Sequence, residues 1–136
     1  MLLWIVTYFT VGLVFLGLDA VWLSFAARRL YRPQLGTLLL DNFRPTPAAF
    51  FYLLYTAGIL IFAVFPSLAA ARWSGALARG AALGLVAYST YDLTNQATLR
   101  GWSTTITLAD LCWGTVVTSV VATVGFLVAK RLLAHA

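Results

Sequence analysis

Glutamate is absent from this 136-residue chain, aspartate occurs only four times, and charged residues make up 10% of the total. A soluble domain carries roughly a quarter charged residues, so this scarcity points to a membrane protein. The single cysteine, Cys112, excludes an internal disulfide, a C-x-x-C pair and a thiol relay to quinones. It reads as a small packing residue. The single histidine, His135, leaves no imidazole pair for haem or di-iron ligation. No basic stretch precedes the first apolar run, and a cut after Ala27 would need a small residue where Phe25 stands. The first segment is therefore expected to be retained.

What is abundant is apolar: 62% of residues are hydrophobic and 15% aromatic. The net charge of +5 comes from eight Arg and one Lys, all placed between or beyond the apolar runs. Loops at a membrane surface have this pattern, whereas a nucleic-acid-binding face would gather the charge on one side. A lipid bilayer is thus the expected partner, and nucleic acid is not.

A transmembrane helix needs about 20 mostly apolar residues, and the basic residues divide the chain into four such pieces. The expected spans are about 2–27, 47–71, 80–99 and 103–129. Thr46 is a candidate N-cap with Pro47 as first helical residue, and Pro66 is expected to kink the far end of the second span. Between the first two spans, Leu35, Leu38 and Leu39 follow Pro33 at helical spacing. A short interfacial helix over about 33–41 fits that pattern, being too short to cross. The expected fold is all-α: one polytopic domain over 1–136, with four transmembrane helices and the interfacial helix between the first and second.

The stretch "YSTYDLTNQ", residues 88–96, is the most polar in the chain, yet it falls inside the third span. Were it a loop, only eight residues would remain after Arg79. Three of the four aspartates lie within spans: Asp19, Asp92 and Asp110. Each costs about 2.5–3.5 kcal/mol at a helix centre on insertion scales. Counted from Arg28 and Arg100 at about 1.5 Å per residue, all three reach roughly 12–15 Å from one membrane face. That is close to the midplane of a core about 30 Å thick.

Tyr52, Tyr55 and Thr56 of the second span reach the same level. Tyr88, Ser89, Asp92, Asn95 and Gln96 share one face of the third helix, and Tyr91, Thr94 and Thr98 form a second stripe. So much polarity makes the third helix the expected most enclosed one. Trp22 and Trp113 each follow an aspartate by three residues, a repeated D-x-x-W that would wall a pocket with inward N–H groups. Gly80 and Gly84 form a G-x-x-x-G suited to close helix packing.

Asp19, Asp92 and Asp110 are therefore the candidate catalytic residues. Tyr52, Tyr55, Tyr88, Tyr91, Asn95, Gln96, Trp22 and Trp113 are the candidate binding residues. No metal motif and no cofactor are predicted, although clustered Asp and Asn oxygens could hold a hard cation. The competing structural reading makes the same side chains interhelical glue. Three functions stay open: a site that binds or processes a small polar group, a proton- or cation-coupled transporter working as a homodimer, and an accessory subunit of a larger membrane complex. Whether the chain is an enzyme is left undecided.

"LDAVWL", "FFYLLY", "YSTYDLTNQATL" and "ADLCWG" resemble the motifs of domain of unknown function 2177, a bacterial family of small predicted membrane proteins. The resemblance covers essentially the whole chain and implies a multi-pass protein of the bacterial inner (cytoplasmic) membrane. Relatives encoded beside cyclopropane fatty-acyl synthase-like and flavin amine-oxidase-like enzymes imply a link to lipid modification.

Overall fold

Helix α1, Leu2–Ala26, runs without interruption into a wide π turn at Ala27–Tyr31, a short α2 at Arg32–Leu35 and a 3-10 turn at Gly36–Leu38. The computed structural model describes residues 1–135. No helix breaker occurs before Pro33, and Pro33 lies in the first turn of α2, where its missing N–H is not needed. The interfacial segment therefore does not start as a separate helix. It continues from α1, reaches a positive φ at Gly36, and gives way to extended backbone at Leu39.

Helix α3 spans Pro45–Ile59. It starts on Pro45 rather than Pro47, with Arg44 in the capping position and no side-chain cap. A second π turn, Leu60–Val64, joins it to α4, Phe65–Ala69. Pro66 has no N–H, and its ring would collide with the carbonyl four residues back. The wide turn just before it relieves both problems.

Helix α5 spans Trp73–Thr98 and α6 spans Thr104–Ala134. Three helical runs are long and apolar enough to cross a membrane: Leu2–Leu38, Pro45–Ala69 and Thr104–Ala134. Helix α5 has the length, but its composition is more polar. Large apolar side chains such as Leu13, Val21, Phe50, Leu54 and Val86 are exposed, while the largely apolar core also encloses Thr7, Asp92 and Thr118. An apolar exterior with polar groups turned inward suits lipid as the solvent.

The most extensive helix interface joins α5 to α6. Gly101 turns the hairpin with φ 76°, a backbone conformation open to glycine at no steric cost. Pairs equidistant from Gly101 face each other: Asp92 with Asp110, Tyr88 with Gly114, Gly84 with Thr118, and Gly80 with Ala122. A Cβ on Gly84 would stand 2.1 Å from the Gly114 carbonyl oxygen, and one on Gly80 2.7 Å from the Thr118 carbonyl oxygen. The G-x-x-x-G of α5 is thus the surface on which α6 lies.

The enclosed helix is consequently α6 and not α5. Buried positions run along α6 from Ile106 to Ala129, whereas α5 buries only Ala76, Gly80, Gly84 and Asp92. The polarity of α5 is dealt with locally instead. Thr90, Thr94 and Thr98 are exposed, and each donates its hydroxyl to the carbonyl four residues earlier. Hydroxyls satisfied within the helix need no partner outside it. Cys112 also departs from expectation, since it is exposed on α6 rather than packed.

Around the bundle α1 contacts both α3 and α6, and the Leu60–Val64 turn contacts α5 and α6. The Pro45–Ile59 part of α3 makes no comparable contact with α5. Helices α3 and α5 therefore diverge toward the start of α3, leaving a wedge between them.

Candidate functional site

The wedge holds a cavity of about 520 Å³, open rather than sealed, with walls drawn from α1, α3, α5 and α6. Eight of its thirteen lining residues are aromatic and none is basic. Two are acids, Asp19 and Asp110, each 8% exposed. The rim between the diverging helices carries Phe51 and Tyr91, which are 44% and 61% exposed.

Asp19 is held from two sides. Tyr52 donates its hydroxyl to Oδ2, and Trp113 donates its indole N–H to Oδ1 at 3.0 Å. Asp110 receives the hydroxyl of Tyr31, and Tyr31 in turn accepts the indole N–H of Trp22 at 3.0 Å. The two indoles stack, with ring centroids 4.8 Å apart and planes 7° from parallel. The D-x-x-W motifs are thus cross-wired. Trp113 serves Asp19 of the other helix directly, and Trp22 serves Asp110 through the Tyr31 hydroxyl.

Tyr31 lies outside every motif noted in the sequence, in what reads there as a loop. Nine residues of regular helix from Trp22 are about two and a half turns, which would set Tyr31 on the opposite face. The π turn at Ala27–Tyr31 widens the last turn and brings the ring round to Trp22 and Asp110. Such insertions recur at functional sites. Ser103, the N-cap of α6, bonds to Gln34 of α2 and holds that segment against the start of α6.

Asp92 is fully buried, and neither carboxyl oxygen receives a donor. What it faces is the carboxyl of Asp110. Two carboxyl groups so close are not both ionised unless a cation lies between them. Among the described residues no group of three His, Cys, Asp or Glu side chains could hold a metal ion.

A family model described as a predicted membrane protein, domain of unknown function 2177, matches residues 4–127. The chain belongs to this family. Comparison with curated proteins and with solved structures gives no match. Every residue lining the cavity lies within the stretch that domain of unknown function 2177 covers.

Of the residues singled out in the sequence, the cavity walls include Asp19, Trp22, Tyr52, Tyr88, Tyr91, Asp110 and Trp113. Asp92 stands behind Asp110. Tyr55 is turned into the core, where its hydroxyl meets Thr118 Oγ1 at 2.8 Å and its ring packs on Phe15. Gln96 binds the Thr104 hydroxyl at 2.9 Å in the α5–α6 turn, away from the cavity. Asn95 is half-buried beside Tyr91 and does not line it. Besides Tyr31, Leu23, Phe43, Ala48, Phe51 and Ala87 complete the walls. They are ordinary apolar residues in sequence, and only the divergence of α3 from α5 gives them a cavity to line.

Proposed function

We propose that this protein crosses the bilayer four times and receives, through the gap between α3 and α5, the polar head of a lipid-soluble molecule. The observation that carries the reading is a cavity with two carboxyl groups in an otherwise aromatic wall, set in a bundle whose exterior is apolar. Helix α5, 26 residues long, serves as the fourth span. Its threonines bond to their own helix, and its neighbour along most of its length is α6, itself long and apolar enough to cross. Cavities of about 300–1,000 Å³ suit small ligands.

In this reading Asp19 and Asp110 bind the head group, and Tyr31, Tyr52, Trp22 and Trp113 keep their carboxyls in place. The compartment is the bacterial inner membrane, and the ligand belongs to lipid modification. A second reading, a proton-coupled transporter acting as a homodimer, is favoured by one feature. The Asp92–Asp110 pair is a place to hold and release a proton beside the cavity.

The pocket reading is tested by the depth of its tryptophans. A variant keeping only Trp22 and Trp113 (Trp4→Phe, Trp73→Phe, Trp102→Phe) is placed in bilayers whose acyl chains are brominated near their middle. Strong quenching by the brominated lipid and little by aqueous iodide is expected. The reverse pattern overturns a lipid-accessible intramembrane pocket.

A further inference from the structure

The geometry points to an organic cation, an ammonium-type head group, as the ligand of the cavity. This inference rests on the pocket reading above and names the class of molecule that it takes. A ligand is recognised by what the walls still offer once their own bonds are made. Both oxygens of Asp19 and one of Asp110 are occupied by Tyr52, Trp113 and Tyr31. The Trp22 N–H is spent on Tyr31. Three of the wall donors are thus directed at the two carboxyls and a fourth at Tyr31, which leaves a ligand only the neutral hydroxyls of Tyr88 and Tyr91.

No lysine or arginine lines the cavity, so an anion would enter an acidic chamber with nothing to balance it. Like charges brought together in a poorly hydrated site repel strongly. What the walls offer instead is negative potential. Two acids line the cavity, and the rings of Trp22, Trp113, Tyr52, Tyr88, Tyr91 and Phe51 surround the space. Aromatic rings attract cations through their quadrupole, and cages of such rings recognise quaternary ammonium groups.

A hard inorganic ion is a poor fit to the same walls. It takes six or more oxygen ligands at short range, whereas most of this lining is ring carbon. A cation of diffuse charge, with methyl or methylene groups to lie against the rings, uses both features at once. The exposed Phe51 and Tyr91 at the rim accommodate an apolar tail of the same molecule.

Three probes of one shape and different charge separate the possibilities: choline, 3,3-dimethylbutan-1-ol and 3,3-dimethylbutanoate. Each is titrated into the protein in uncharged detergent, following the emission of the variant that keeps only Trp22 and Trp113. Choline is expected to bind at least tenfold more tightly than the neutral isostere, and the anion not at all. Asp19→Asn is expected to reduce choline affinity tenfold or more while leaving that of the alcohol unchanged. If Asp19→Asn does not fold, Tyr91→Leu at the exposed rim, expected to weaken choline about threefold, replaces it.

Equal or preferred binding of the alcohol or the anion overturns the cation assignment. If brominated lipid quenches the tryptophans in that case, the pocket reading stands without it. Binding of none of the three likewise overturns the assignment, and absence of lipid quenching then removes the pocket reading as well.

Discussion

Trp113 donates its indole N–H to Asp19, 3.0 Å away on another helix, and not to Asp110, three residues before it in its own. With Tyr52 on the other oxygen, Asp19 has both ends of its carboxyl held. Removing one donor leaves a buried acceptor unsatisfied, which costs about 1–3 kcal/mol and more for charged groups. Trp113→Phe keeps the ring against Trp22 and is expected to destabilise the fold by that amount in a detergent melt. Combined with Asp19→Asn, it should show a coupling energy of about 1 kcal/mol or more. Additive effects would mean that the bond contributes nothing.

Tyr31→Phe removes the donor to Asp110 and the acceptor for Trp22 together. Its expected effect is on folding as well as binding, because Asp110 loses a donor and the Trp22 N–H its acceptor while the ring remains in the wall of the cavity. Choline affinity should fall by about tenfold, equivalent to 1.4 kcal/mol, and the fold should lose about 1–3 kcal/mol in a detergent melt. Tyr8→Phe, which loses a bond to the Leu53 carbonyl and changes no residue lining the cavity, is the control and should bind as the parent does.

Gly114 lies against Tyr88, and a Cβ placed there would stand 2.2 Å from the tyrosine ring. Gly114→Ala is therefore expected to destabilise by about 1–3 kcal/mol through overpacking. Adding Tyr88→Ala should restore part of the loss, since the three nearest atoms all belong to that ring. If the double variant is no better than the sum of the singles, the hairpin fails for another reason.

Four crossings return the chain to the side on which it began, whereas three leave the termini on opposite sides. Reporters fused at the two ends are expected to face one compartment. Replacing Thr90, Thr94 and Thr98 together by valine should change stability by no more than about 0.5 kcal/mol, as surface changes away from special features do. Termini on opposite sides would remove α5 from the membrane.

The helices were legible because arginines and prolines punctuate long apolar runs, and the cluster was legible because aspartate in such runs is conspicuous. Tyr31 was not legible. Its role depends on a π turn, and nothing in "ARRLY" distinguishes a turn with one more residue from a regular one. The enclosure of α5 was misread for a related reason. Threonine counts as polar in composition, yet a hydroxyl bonded four residues back presents no unmet polarity. Tyr55 and Gln96 share a level or a face with the cluster, but depth and face do not settle direction. One turns to Thr118 and the other to Thr104.

The mirror arrangement of α5 and α6 about Gly101 ties every contact of the hairpin to one helical register. One residue inserted inside α6 just after Thr104 would rotate the rest of that helix by about 100° relative to α5. The acid pair, the ring on Gly114 and both glycine contacts would then fall out of step together. Length variation among members of this family should accordingly collect in the Leu39–Arg44 connection and spare the helical stretches 80–98 and 104–122.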